Sequence, residues 1–405
     1  MHNRLAAPVL GAMGFALLGA GCIQAAPNKA KTTIPRKKTM PFKPQKAKDM
    51  FVYVGTYTGN GSKGIYVYRL NPDGKLGFTN QTAETQSPSF LALAPSGHTL
   101  YAGNEVWNPA EKPGAGVSAF AIDAKTGGLT ALNFQSLGNA VPAYVSVSPN
   151  GKVLAVANYG GGSVASFPLS ADGKLGEQAF FDQHTGSSVN ADRQKEPHAH
   201  SVLFDASGHY AFSADLGVDK IYIYRVDSST GKLAPNDAPF AVVHPGAGPR
   251  HIALHQSNRF AFVINELDST ISTFSLDARK GAMKELEHVS TLPKGFTGHN
   301  SCADIHVAPS GRFLYGSNRG HDSIAIFSID QSNGHLTLVG HQSTQGKTPR
   351  NFGIDPSGRF LLVANQDSNS IVVFRVDEKT GLLAPTGQTV EVPSPVCIRF
   401  LALEK

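Results

Sequence analysis

Residues 303–327 read ADIHVAPSGRFLYGSNRGHDSIAIF. An apolar segment runs into a Pro-Ser-Gly turn, a second apolar segment ends at Asn318, a polar turn follows, and SIAIF closes the stretch. Short runs rich in Ile, Val, Phe and Tyr, separated by Gly, Pro, Asn and Ser, signal strand–turn–strand and carry no helical period. Residues 349–383, PRNFGIDPSGRFLLVANQDSNSIVVFRVDEKTGLL, repeat the pattern and extend it through a terminal TGLL.

Working outward, the same turn recurs as PSG at 95–97, PNG at 149–151, ASG at 206–208 and QSN at 256–258, before PSG at 309–311 and 356–358. The last residues of successive turns lie 54, 57, 50, 53 and 47 positions apart. A period near fifty, filled with short strands, is the mark of a β-propeller with four antiparallel strands per blade. Six units are complete. Residues 50–76 supply later strands without a first, and residues 394–405, SPVCIRFLALEK, are a lone first strand. The fold expected over 49–405 is therefore all-β, a seven-bladed propeller. Pairing the C-terminal strand with the N-terminal blade closes its ring and removes an open sheet edge.

Residues 1–25 have the form of a secretory signal peptide: Arg4, an apolar run too short to span a bilayer, then small residues. Cleavage after Gly21 would instead leave Cys22 as a lipid anchor. Both imply export, to the periplasm or beyond. Residues 26–48 form a basic, proline-rich linker expected to be disordered. Eight Lys/Arg against one Asp put +7 in residues 27–50 and Arg4 adds one, so a whole-chain charge of +6 leaves −2 for residues 51–405. The basic character belongs to the tail, and the folded part has no bias toward nucleic acid. Cys302 and Cys397 form no CxxC or zinc pattern.

The propeller locates function. In each unit the start of the first strand and the end of the second meet on one rim of the central channel. Counting eight residues either side of each turn's last residue pairs Ser89 with Glu105, Ala143 with Tyr159, His200 with Leu216, Arg250 with Glu266, Ala303 with Arg319 and Arg350 with Gln366. Arginines, glutamates and a histidine crowded at a concave mouth need a reason to be there. One position further in lie Asn104, Asn158, Asp215, Asn265, Asn318 and Asn365, read as side chains that hold the turn after the strand. Asn318, beside Arg319, is also a candidate to touch substrate. The stretch 197–201, PHAHS, puts His198 and His200 two apart, on one face of a strand. His306 reads as a core residue, and the glycines of 158–164, NYGGGSV, as a turn that leaves room for substrate.

The motifs VGTYT (54–58), EPHAHSV (196–202), GPRHIAL (248–254), NE (265–266) and the long stretches quoted above resemble the seven-bladed β-propeller lactonase family. That family includes propeller-type 6-phosphogluconolactonases and 3-carboxy-cis,cis-muconate lactonizing enzymes. The resemblance covers about 355 residues and implies hydrolysis of a small lactone, with candidate catalytic groups at His198 or His200, Arg250, Glu266 and Arg319. Opening a lactone needs a base near neutrality and a cation for the oxyanion. His200 is the expected base, and Arg250 the expected stabiliser of charge. Glu266 would orient Arg250 or share the proton, while Arg319, Arg350, Asn318 and His198 would hold the substrate. No cofactor or metal is expected, because the rim arginines would repel a cation. The partner is a small-molecule lactone, acted on by a monomer. The competing readings are a non-catalytic rim that binds a protein or glycan, and a muconate cycloisomerase. The export signal favours an unphosphorylated sugar-acid lactone.

Overall fold

The computed structural model describes residues 48–59 and 61–403, all of them in strands, turns and connections. The expected signal, Cys22 and, but for Lys48, the basic linker lie outside those residues. Seven four-stranded antiparallel sheets follow one another in the chain. Blade I takes its innermost strand from the C-terminus: Pro395–Ala402 pairs with Met50–Thr56, followed by Gly64–Leu70 and Leu76–Glu84. Blades II to VII begin at the inner strands Pro88–Leu93, Val141–Val147, Ala199–Phe204, Pro249–Leu254, Ser301–Val307 and Pro349–Ile354. The expected ring closure is present.

Inner strands are buried nearly end to end, as in Pro249–Leu254, because neighbouring blades cover both faces. Outer strands alternate, as in Ala282–Ser290, because one face meets water. The core therefore lies between blades, where Phe212, Val263 and Phe274 pack blade IV on blade V, and Tyr315, Phe352 and Val363 pack VI on VII. The terminal turns of the repeat, including TGxL, have a defined role here. Tyr53 donates to the Gly127 carbonyl at 3.1 Å, Tyr101 to Gly173 at 2.9 Å and Tyr315 to Gly381 at 2.9 Å. In each case a buried hydroxyl of one blade satisfies the outer turn of the next.

A local irregularity recurs in every inner strand. Pairing with the second strand skips Ser89, Ala143, His200, Arg250, Arg350 and Val396, and in blade VI it skips both Ala303 and Asp304. These are β-bulges, which release a residue from the ladder and re-aim its side chain. The bulged residues include all six first-strand rim positions of the sequence register. The bulge also breaks the simple alternation at PHAHS, so His198 and His200 do not act as a same-face pair.

Candidate active site

Six of the bulged residues, Ser89, Ala143, His200, Arg250, Arg350 and Val396, line two small cavities at the channel mouth. The larger encloses about 340 Å³ and is walled by Glu105, Trp107, Tyr159, Arg193, His200, Glu266, Arg319 and Arg350. A roomier groove of about 620 Å³ lies between blades I and II, but its only charged side chains, Lys63 and Glu84, face each other at 3.9 Å. Convergent charge marks the mouth, not the groove, as the site.

Glu266 is the hub of the mouth. It is buried at the end of Phe260–Asn265, and its Oε2 accepts from Arg250 Nε at 2.9 Å and Arg319 Nη2 at 2.8 Å. Its Oε1 accepts from Arg193 Nη2 at 2.7 Å. Burial alone would raise its pKa, but the charges of Arg319, Arg250 and Arg193 outweigh that and hold it far below the usual carboxylate range. A carboxylate so firmly ionised is a poor proton acceptor. The expectation that Glu266 shares the proton gives way to its other expected role, orienting Arg250.

Arg250, 2% exposed, is fixed on three sides: Nε on Glu266, and Nη1 on the Ala303 carbonyl at 2.6 Å and His251 Nε2 at 3.2 Å. Burial and the charges of Arg319 and Arg350 lower its pKa to about 9, which leaves it cationic at neutral pH. Behind it, His251 Nδ1 meets Asp304 Oδ1 at 2.8 Å, and Asp304 also binds His306 and Asn351. Burial first, then Arg250, lowers His251 to about 4, so it is neutral and can accept from the guanidinium. Asp304, buried in the blade VI bulge, thus sets the tautomer that sets Arg250. His306, expected in the core, is half-buried and bound to Asp304 at 2.9 Å. His251 and Asp304 escaped the sequence reading, although His251 directly follows Arg250 in PRH.

His200 is 4% exposed, with its ring edge-on to Tyr159 and His251 at centroid distances of 5.3 Å. Its Nδ1 is buried without a hydrogen-bond partner among the described residues. Burial, then Arg250, His251 and Arg350, hold its pKa well below the ordinary histidine value. It is a neutral imidazole at the cavity wall. Arg350 lies over the Tyr57 ring at 5.3 Å, with no carboxylate in salt-bridge reach among the described residues. Its cation faces the cavity with the least internal compensation.

Two expected substrate contacts fail on geometry. Asn318 is fully buried, donating to the Thr291 carbonyl at 3.0 Å and accepting from Thr291 Oγ1 at 2.7 Å. Its amide ties down the connection arriving from blade V. Asn104 and Asn365 do likewise to Gln86 and Thr344, whereas Asn158 and Asn265 hold the following hairpin through Ser163 and Thr270. His198 lies behind the cavity wall, stacked on Tyr159 at 4.5 Å with Nδ1 3.0 Å from the Tyr159 carbonyl. It positions Tyr159. The glycines of 158–164 serve the same segment: a Cβ on Gly162, at φ +57°, would lie 2.3 Å from the Pro197 carbonyl oxygen. The room they leave is taken by PHAHS, not by substrate. Leu216 and Gln366 stand outside the cavity lining.

Arg193 had no place in the repeat register. It projects from the insertion before PHAHS, where Asn190 Oδ1 accepts from the Asp192 and Arg193 amides in an Asx turn and the buried Gln194 anchors the loop to Leu216 and Asp219. The Asn-Ala-Asp-Arg string is the one local signal that could have found it. Trp107, 57% exposed, donates to Glu105 Oε1 at 3.2 Å and covers the opposite lip.

Comparisons with known proteins identify the family. A family model described as lactonase, 7-bladed beta-propeller, matches residues 51–400. A Bacillus subtilis protein named 6-phosphogluconolactonase is 38% identical over 351 residues, 86% of this chain and 97% of its own length. A Formosa agariphila protein of the same name is 39% identical over 309 residues, 75% of this chain and 86% of its own. The solved structure of a Pseudomonas aeruginosa periplasmic gluconolactonase superposes with a TM-score of 0.83 at 35% identity, covering 88% of this chain and all of that one. With seven blades matched and relatives of this identity spanned almost end to end, the chain belongs to the seven-bladed β-propeller lactonase family.

Proposed function

We propose that the protein hydrolyses a sugar-acid lactone outside the cytoplasm, with His200 taking and returning the proton. The observation that carries this reading is a buried, neutral imidazole without an internal partner on Nδ1, opening on a cavity walled by arginines. Water attacks the lactone carbonyl carbon while His200 accepts one of its protons. The carbonyl oxygen takes the negative charge, which Arg250 and Arg350 stabilise. As the intermediate collapses, the bond from carbonyl carbon to ring oxygen breaks, and the imidazolium returns its proton to that oxygen. The products are a carboxylic acid and a hydroxyl, balanced by one water. An imidazolium beside two guanidiniums is a strong acid, which suits the second step. The developing oxyanion offsets its cost in the first.

The signal-like N-terminus supports export, and with it an unphosphorylated aldonolactone. The half-exposed Arg193 at the mouth favours a second reading, a 6-phosphorylated lactone whose phosphate it would meet. Hydrolysis of δ-gluconolactone and its 6-phosphate, followed near pH 6 where spontaneous opening is slow, separates the two. Equal background rates with both would remove the lactonase reading. It would leave a rim that binds without turnover, or one that closes rings on a muconate.

A further inference from the structure

Where the connection between blades IV and V meets the outer strand of blade V, a second cluster of ligand-type side chains converges. His244 lies in the connection that leaves Lys232–Val242 and leads to Pro249. Its Nε2 meets Asp268 Oδ2 at 2.5 Å, and the other Asp268 oxygen accepts from Thr270 Oγ1 at 2.8 Å. When Nε2–H donates to that carboxylate, Nδ1 is the nitrogen left to ligate a metal. That Nδ1 is buried and has no hydrogen-bond partner among the described residues.

Glu285 and His288 come from the outer strand Ala282–Ser290. Three residues apart on a regular strand, they would face opposite ways. The ladder pairs Phe274 with Glu285 and Thr273 with Glu287, so Leu286 is bulged out and the two side chains share a face. The rings of His244 and His288 lie 4.3 Å apart, and His288 Nδ1 is 3.9 Å from Glu285 Oε1, too long for a hydrogen bond. Glu285 Oε1 is likewise buried without a hydrogen-bond partner among the described residues. One ligand atom from each of His244, Glu285 and His288 falls within 4.8 Å of the others.

We propose that His244, Glu285 and His288 bind a divalent transition metal of the zinc class, with Asp268 orienting His244 from behind. Two imidazoles and a carboxylate, with a fourth position open to water, form a donor set such ions accept. Ligand atoms around one zinc lie roughly 3.4 Å apart, so a small side-chain rotation closes the set. The carboxylate behind the ligating imidazole is the usual orienting arrangement at metal centres. The two carboxylates also give the pocket the negative charge a dication needs, in contrast to the arginine-rich mouth. The ion ties the connection into Arg250 to the outer strand of blade V, and is a structural clip with no part in lactone chemistry.

The test is uptake of Zn²⁺ alone by protein purified without an affinity tag and stripped with EDTA, measured by equilibrium dialysis with metal analysis. One equivalent per chain is expected, with a rise in melting temperature. His244→Ala and Glu285→Gln should each weaken binding roughly 10-fold or more. Asp268→Asn should weaken it less, and His98→Ala, in the first turn of blade II, should leave it intact. Unchanged circular dichroism and unchanged lactone hydrolysis in metal-free variants show that they fold. No stoichiometric uptake by the stripped wild type overturns the proposal, as does undiminished uptake by the His244→Ala/Glu285→Gln double variant.

Discussion

Glu266 and Glu105 face the same cavity from blades V and II, and their surroundings differ in kind. Glu266 is buried among three guanidiniums that leave it no freedom to move or titrate. Glu105 meets no guanidinium within salt-bridge distance among the described residues; its oxygens accept from Tyr57 at 2.8 Å and Trp107 at 3.2 Å. One side of the mouth is a rigid lattice of compensated charge, and the other an aromatic lip with an exposed indole. The lattice fixes where charge can be stabilised in the transition state, while the lip shapes what can enter. His200 stands between the two, and Arg350 reaches from the lattice side over Tyr57.

If that division is right, substitutions should sort by side. His200→Ala removes the group both sides serve and should lower kcat by about 10²–10⁴ with the fold intact; near-wild-type turnover would refute its role. Arg250→Lys keeps the charge but cannot reach Glu266, His251 and the Ala303 carbonyl together, so a loss of roughly 10²–10³ in kcat is expected. Glu266→Gln leaves buried guanidiniums without their anion. Stability to denaturant should fall by about 3–5 kcal/mol, with activity down roughly 10-fold or more. Glu105→Gln and Trp107→Ala should cost less than about 10-fold, expressed in KM. A Glu105→Gln loss as large as that of Glu266→Gln would erase the contrast between the two sides.

The smallest expected effect is on the pH profile. Because His200 is held neutral, kcat/KM should persist to about pH 6, where a base of ordinary pKa near 6.5 would be mostly protonated. Stability should behave differently. The unfolded chain binds protons at its histidines below about pH 6.5, while folded His251 resists until about 4. Folding therefore weakens as pH falls through that window, by up to about 3 kcal/mol from His251 alone. A melting temperature flat between pH 6.5 and 4.5 would contradict the buried neutral histidine.

Much of this was legible in the chain. The fifty-residue period, the count of seven and the closing strand follow from turn chemistry and strand patterning, which are local and repeat with each blade. The rim register was legible too, because counting from a fixed turn places each first-strand residue at the mouth whatever the geometry between. Arg250 accordingly meets Glu266, and His200, Arg319 and Arg350 share one cavity. Asn318 departs from the register, because its neighbour in sequence faces the channel while its own amide is buried against Thr291. His198 departs too, because a bulge breaks the strict alternation and turns His200 away from it.

What the sequence determined by itself is the set of elements and their order, since hydrophobic alternation and glycine turns act over a few residues at a time. Tertiary structure supplied the contacts that lie outside the repeat register. Arg193 arrives from an insertion outside the repeat, Asp304 from a double bulge, and Glu285 joins His288 only because Leu286 drops out of the ladder. Arg193 and Glu266 are 73 residues apart in sequence, and the two bulges lie within the ladders of blades VI and V, where no local pattern announces them.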